Sequence, residues 1–401
     1  MPPPSKLSDT DLCVMCGMCL PHCPTYQLYQ NETESPRGRI ALMQAIDRKK
    51  IQPTTSALLH IDHCLGCLNC ESICPSMVPF GNLIDTFRNQ FASSIKKNFI
   101  SKQLLKHARQ PDGLDKLTRI TRHPALKPVL NLTSRLTGIT LSTGDTPALT
   151  TTEPIYPATA LRNNTTALGK VSLFTGCTGK SVDANSIQSA ATLLNQLGFD
   201  VHIPPQQYCC GAMHQHNGQL GIAAELLQHN AEQFLQTDAQ TILFFSPACG
   251  AQLLKDSDKH RQSIQDVRAF IYEQLLLHPL KFSPATQPIA LHESCSQRNM
   301  LKLTSANRNL LQLIPDLQII ESAQPSLCCG AGGLQAFNYP QQATALLREK
   351  LSGFDWSQTN TLISDNIGCT VHMKSAISTY NPEMEILHPV SFLARQLLPD
   401  S

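Results

Sequence analysis

The sequence predicts an α+β chain in two parts, a small helical domain near the N-terminus followed by a duplicated α/β half. Three observations predict it. Two four-cysteine runs share one spacing: Cys13, Cys16, Cys19 and Cys23 before Pro24, then Cys64, Cys67, Cys70 and Cys74 before Pro75. The other eight cysteines form two matching sets, Cys177, Cys209, Cys210, Cys249 and Cys295, Cys328, Cys329, Cys369, spaced 32, 1, 39 and 33, 1, 40. Around each of these sets, short apolar runs of strand length alternate with segments of helical periodicity, which argues for parallel α/β modules.

The N-terminal runs read C-x2-C-x2-C-x3-C-P, the spacing of bacterial two-cluster ferredoxins. Three cysteines two apart let one tight loop hold three corners of an iron–sulfur cube. The fourth is carried away by the turn and serves the other cluster. The expected ligand sets are therefore crossed: Cys13, Cys16, Cys19 and Cys74 for one [4Fe–4S], and Cys64, Cys67, Cys70 and Cys23 for the other. Zinc takes four ligands, usually as two separated pairs, and fits eight cysteines in two proline-closed runs poorly. Disulfides belong to oxidising compartments, and cysteines this close could not all bridge without strain.

Between the runs, Ile40–Ile46 has the apolar spacing of a helix. Before it, Ser35-Pro36-Arg37-Gly38-Arg39 combines helix-start signals with two arginines. Arg37 and Arg39 are candidates to face cluster sulfides or a partner protein, the alternative being a solvated turn. Residues 1–12 read as a short arm and Phe80 to Ala92 as a helix. Residues 94–109 form a basic amphipathic stretch suited to packing on the protein or to an anionic membrane surface. Residues 138–168, rich in Thr, Pro, Ala and Asn, read as a linker. The expected organisation is a two-cluster domain with trailing helices over 1–137, a linker over 138–168, a first repeat over 169–280 and a second over 281–401.

Agreement at four cysteine positions marks an internal repeat. Val171–Phe174 and Ile289–His292 read as buried strands running into Cys177 and Cys295. Helices follow at about 182–197 and 297–313, then short strands at 199–203 and 317–321. Cys209-Cys210-Gly211 and Cys328-Cys329-Gly330 come next, each with a helix behind it. Third strands, Thr241–Phe245 and Thr361–Ser364, lead to Cys249 and Cys369. Ligands at the carboxyl ends of such strands converge in one crevice. Adjacent cysteines reach one site only through an unusual turn, which Gly211 and Gly330 permit. A further iron–sulfur cluster, redox-active thiols and zinc all suit these thiols, and spacing does not choose among them. His214 and His216 are candidates for metal ligation or proton transfer, against the plainer reading of a polar helix entry.

The chain has 401 residues, a formal net charge of +2 and 15% charged residues. A nucleic-acid binder needs a strong basic face, so that class is not expected. No window approaches 18 consecutive apolar residues, so no transmembrane segment is expected. Met1-Pro2-Pro3-Pro4 opens no signal-peptide pattern. The expected location is cytoplasmic, peripheral on the inner face of the membrane.

Taken together, the chain resembles the iron–sulfur subunit of glycolate oxidase (glycolate dehydrogenase), a family with two ferredoxin-type motifs and two Cys-Cys-Gly repeats. The matching residues are Cys23-Pro24-Thr25-Tyr26, Ser35 to Ile40, Asp62 to Cys67, Cys209 to Ala212 with His214 and His216, and His388-Pro389-Val390. Related families share the architecture: the iron–sulfur subunit of anaerobic glycerol-3-phosphate dehydrogenase, lactate-utilisation proteins and the heterodisulfide reductase subunit. The resemblance implies an electron-transfer subunit with no catalytic residue of its own. A partner FAD subunit would oxidise the 2-hydroxy acid, and electrons would pass through this chain toward the quinone pool. Glycerol 3-phosphate or lactate oxidation, and thiol–disulfide chemistry like that of heterodisulfide reductase, are the alternatives. The chain departs from the full Cys-Cys-Gly pattern, which ends in C-x-x-C. Cys249 is followed by Gly250-Ala251-Gln252 and Cys369 by Thr370-Val371-His372, so each repeat lacks the fifth thiolate. Gly330-Ala331-Gly332-Gly333 also departs from the run expected of glycolate oxidase.

Overall fold

The computed structural model describes residues 7–121, 155–156, 168–259, 261–377, 379–380 and 383–399. Its N-terminal part is helical. Helix Pro36–Asp47 starts on a Ser35 cap, whose Oγ accepts from the Gly38 N–H, with proline at its first position, the arrangement that satisfies a helix's free amides at least cost. Thr55–Asp62 and Phe80–Gln90 follow. They enclose a core of Ile40, Met43, Leu58, Ile61, Leu83 and Phe87 with Cys64 and Cys70 on its edge. The expected arm is partly built in: Leu7–Leu12 is a 3-10 turn with Leu7 and Thr10 buried. The basic stretch contains helix Phe99–Ala108, which buries Leu105 and Ala108 in the protein.

The second half holds two parallel sheets of one design. The first orders β1-β3-β2-β4-β5, from Ile155–Tyr156 (β1), Gly169–Phe174 (β2), Phe199–His202 (β3), Thr241–Phe244 (β4) and Ser263–Asp266 (β5). The second orders β7-β6-β8-β9, from Ile289–His292 (β6), Ile319–Ile320 (β7), Thr361–Ser364 (β8) and Glu385–Leu387 (β9). All neighbours are parallel except β1, which runs antiparallel to β3. Register matches between the sheets: Val171 and Ser263 flank Thr241 in the first, and Glu385 pairs with Thr361 in the second. The linker expected over 138–168 falls outside the described residues, apart from β1 and Leu168.

The fourth strands, β5 and β9, are additions to the expected pattern. Both are short, and β5 carries polar residues at three of its four positions (Ser263-Ile264-Gln265-Asp266), so hydrophobic periodicity does not reveal them. The single helix expected over 297–313 is instead a π-turn, Ser296–Leu301, and a short helix, Ala306–Leu311. One core serves both repeats: Val171, Leu173 and Leu243 join Leu291, Ile363 and Leu393. Arg268 closes the junction. It is fully buried and bonds Asp266 on its own side and Gln297, Asn307 and Asp365 on the other.

Candidate metal centres

The crossed cysteine sets gather in two recesses. The first is lined by Cys13, Cys16, Cys19 and Cys74, with Cys70 also at its wall. The second is lined by Cys23, Cys64, Cys67 and Cys70, with Arg39 beside them. No cysteine of the set is in a disulfide. Burial pushes the thiols of Cys19, Cys67 and Cys70 up, the last two strongly. Four thiols around each recess form the donor set of a [4Fe–4S] cluster, and the residues present fit that group.

The two arginines part ways. Arg37, on the outer face of its helix turn, pairs with Glu32 (2.7 Å) and donates to the Met15 carbonyl (3.0 Å) beside the first recess. Arg39 is 1% exposed, which corrects its reading as a partner contact. Its Nη2 donates to Glu34 Oε2 (2.7 Å), its Nε to the His60 carbonyl (2.7 Å) and its Nη1 to Thr25 Oγ1 (3.0 Å), and Nη1 lies 4.0 Å from Cys23 Sγ. Burial opposes its charge, and the Cys64 and Cys23 thiols with Glu34 outweigh that cost. Glu34 in turn meets His60 Nδ1 (2.7 Å) and His63 Nδ1 (2.8 Å). These bonds and Arg39 overcome burial and hold its carboxyl below the usual range.

The repeats grip the cluster loops through polar contacts that sequence reasoning missed. Asn299 Nδ2 donates to the Cys67 carbonyl (2.7 Å) and Asn69 Nδ2 to the Ser326 carbonyl (2.9 Å). Gln335 donates to the carbonyl of Asp62 (2.7 Å). Cys67 packs in one cluster with Cys328, Leu65 and Leu346, and Cys295 lies against it. The second repeat's thiols therefore sit directly behind the second recess. The first repeat docks elsewhere: Gln215 donates to Asp85 (2.5 Å), His216 Nδ1 faces Asp85 Oδ1 (3.3 Å), and Arg88 donates to the His216 carbonyl (3.2 Å). His216 is thus a docking residue. No sequence periodicity marks these contacts, because each joins segments remote in the chain.

Within each repeat, both vicinal cysteines are buried, and the turn behind them is the same. Gly211 and Gly330 have φ of +91° and +87°, and a Cβ there would meet the backbone oxygen of Ala223 at 2.8 Å or of Ala343 at 2.6 Å. Glycine is required at both on conformation and space alike. The turn aims the Gly211 N–H at Cys209 Sγ and the Gly330 N–H at Cys328 Sγ, both at 3.4 Å.

The electrostatics differ. In the first repeat, thiols of Cys177 and Cys210, the Gly211 N–H and the nearby His214 favour the Cys209 thiolate against burial, and its pKa falls well below the usual thiol range. Cys177 and Cys210 are pushed well up, chiefly by their bonds to Cys209. His214 is fully buried; its Nδ1 pairs with Gln219 Oε1 (2.7 Å). In the second repeat, no thiol is lowered. The Cys295 bond favours the Cys328 thiolate, yet Cys329 and burial push it well up. Cys295 and Cys329 are likewise raised well above the usual thiol range, and Cys369 is also raised.

A cysteine-rich domain (CCG) model matches residues 171–254 and 289–374, and a 4Fe-4S dicluster domain matches residues 9–78. The chain is 27% identical over 398 residues to the probable glycolate oxidase iron-sulfur subunit of Bacillus subtilis, covering 91% of this chain and 88% of that one. It is 28% identical over 386 residues to the glycolate oxidase iron-sulfur subunit of Escherichia coli, covering 91% and 89%. Lactate utilization protein A of Bacillus thuringiensis is 26% identical over 231 residues, 55% of this chain and 96% of that one. Among the described residues, no helix is long and apolar enough to cross a membrane. With two cysteine-walled recesses ahead of two matching Cys-Cys-Gly repeats, the chain joins a 4Fe-4S dicluster domain to two cysteine-rich domains, and over about nine-tenths of its length it is a homologue of glycolate oxidase iron–sulfur subunits.

Proposed function

We propose that this chain is the electron-transfer subunit of a 2-hydroxy-acid dehydrogenase complex, with glycolate as substrate. The observation that carries the reading is the gathering of the crossed cysteine sets in two adjoining recesses, the second backed by the thiols of Cys295 and Cys328. Cys13, Cys16, Cys19 and Cys74 would hold one [4Fe–4S] cluster, and Cys64, Cys67, Cys70 and Cys23 the other. Bound clusters supply one-electron transfer. The protein's own residues bury the thiols, place the Arg39 charge against the second set and exclude water from it, all of which tune potential. The partner is an FAD subunit that oxidises the acid, the acceptor is membrane quinone, and the chain lies on the cytoplasmic face without spanning the bilayer. The boundaries 1–137, 138–168, 169–280 and 281–401 are the domain division proposed with it.

The test is optical. The native complex is purified anaerobically through a tag on this chain, and the broad visible absorption is followed after adding glycolate. Bleaching on the timescale of turnover is expected. Bleaching by glycerol 3-phosphate or D-lactate alone moves the substrate assignment to those acids or alcohols. No response to any of them, with dithionite still bleaching, overturns the dehydrogenase reading in favour of thiol–disulfide chemistry.

A further inference from the structure

Between Asp85 and Asp112 the chain carries no acidic residue, although its overall charge is only +2. The same stretch holds Arg88, Lys96, Lys97, Lys102, Lys106 and Arg109. Arg88 and Lys97 turn inward to the buried Asp62. Helix Phe99–Ala108 sorts the others by face. At about 100° per residue, Ser101, Leu104, Leu105 and Ala108 fall on one side, and Phe99, Lys102, Lys106 and Arg109 within an arc of about 80° on the other. The inner side is anchored to both repeats. Asn98 caps the helix, its Oδ1 accepting from the Ser101 N–H (2.7 Å), while its Nδ2 donates to the Phe337 carbonyl. Ser101 Oγ donates to Asn338 Oδ1 (2.7 Å). Leu104 and Ala108 pack with Leu226 and Phe234 of the first repeat. Held this way, the helix cannot roll its basic side inward. Phe99 is left 73% exposed at the head of that side. Lys102, Lys106 and Arg109 are exposed, as is Lys96 just before the helix. Among the described residues, Lys96, Lys102 and Lys106 form no ion pair, and Arg109 has a loose one with Glu225 (3.6 Å).

We propose that this face lies on the anionic surface of a lipid bilayer, with Lys96, Lys102, Lys106 and Arg109 among the head groups and the Phe99 ring at the acyl boundary. Charge complementarity carries it. The lysines are held outward without a partner in the protein, and each basic group near an anionic leaflet strengthens binding. An aromatic ring beside them adds apolar burial at the head-group boundary. An acidic protein surface is the other occupant, but protein interfaces are depleted of lysine and enriched in arginine. This face carries Lys96, Lys102 and Lys106 against Arg109 alone. Lipid contact here rests on the proposed delivery of electrons to membrane quinone, for which it names the side of the chain that meets the bilayer. Vesicle binding is measured without acid or quinone, so its failure and failure of the glycolate assay are separate results.

The experiment sediments the full chain, purified anaerobically with its clusters, with vesicles of phosphatidylcholine made with and without phosphatidylglycerol. Binding is expected to the anionic vesicles alone, with release as salt rises toward about 1 M, where the screening length is about 3 Å. K102Q/K106Q should weaken partitioning roughly 30-fold, about fivefold for each charge. K49Q/K50Q removes the same charge outside the arc and should stay within about twofold of wild type. F99W should shift its emission to the blue when anionic vesicles are added, against the steady signal of Trp356, the single native tryptophan. All five positions are exposed, and unchanged visible absorption checks that each variant is folded. Absence of binding, binding that ignores lipid charge, an equal loss in K49Q/K50Q or an unshifted F99W emission would each overturn the proposal. A co-purifying protein lost from K102Q/K106Q, with no vesicle binding by wild type, would overturn it in favour of an acidic protein partner.

Discussion

Replacing Arg268 by methionine tests whether one buried cation holds the two repeats together. The guanidinium is 0% exposed. It donates Nε to Asp266 Oδ1 (2.8 Å), Nη2 to Asp266 Oδ2 (2.5 Å) and Nη1 to Gln297 Oε1 (2.9 Å), Asn307 Oδ1 (2.6 Å) and Asp365 Oδ2 (2.6 Å). Burial works against its charge, and the two carboxylates more than offset this. R268M keeps the apolar stem and strands Asp266 and Asp365 without a counter-charge. Breaking a buried pair from one side costs about 3–5 kcal/mol, whereas neutralising the whole group is often harmless. For a unit of 150–250 residues, each kcal/mol moves Tm by roughly 2–4 °C, so the expected loss is about 6–20 °C. The single tryptophan, Trp356, packs against Phe354 and Tyr380 in the second repeat, and its fluorescence follows this melting. The triple variant R268M/D266N/D365N should recover at least half of the loss. A shift under about 2 °C for R268M, or no recovery in the triple variant, would refute the argument from stranded charge.

Cys16→Ser should remove about half of the visible cluster absorption, because its set serves one of two clusters; undiminished iron and absorbance would contradict the ligand assignment. Arg39→Met should destabilise the N-terminal domain by about 3–5 kcal/mol by leaving Glu34 buried without its cation, read as a lower denaturant concentration for loss of cluster colour. Arg37→Ala removes an exposed pair worth at most about 1 kcal/mol; it should leave stability intact and, if Arg37 contacts the proposed FAD subunit, weaken that assembly, measured by co-purification. Asp62 and Asp85 are held below the usual carboxylate range: burial opposes this, but Arg88 and Lys97 overcome it at Asp62, and His216 and Gln215 at Asp85. Their contribution is fully present above the unfolded value of about 3.9 and is lost as pH falls through the lower folded values. The urea midpoint should therefore be flat from about pH 7 to 5 and fall below about pH 4, and D62N/D85N should flatten that acid limb.

The sequence by itself determined what depends on spacing. Ligand loops are short, so the two C-x2-C-x2-C-x3-C-P runs announce their chemistry before any folding is known. The duplication is equally local: each Cys-Cys-Gly needs its glycine for a left-handed turn, and each strand's apolar run is long enough to recognise. Helix Pro36–Asp47 was legible from Ser35, Pro36 and the apolar period. What tertiary structure alone decided is which way side chains face once remote segments meet. Arg37 and Arg39 sit two apart in one helical turn; the 200° between them sends one outward to Glu32 and the other inward to Glu34. His292 and Phe174 align in the sequence, yet only the parallel sheet sets His292 against Cys369, seventy-seven residues later. The fourth strands were too short, and β5 too polar, to show a period. The contacts of Asn299 and Gln335 with the cluster loops leave no pattern either, because a hydrogen bond between distant segments constrains two residues and no interval between them.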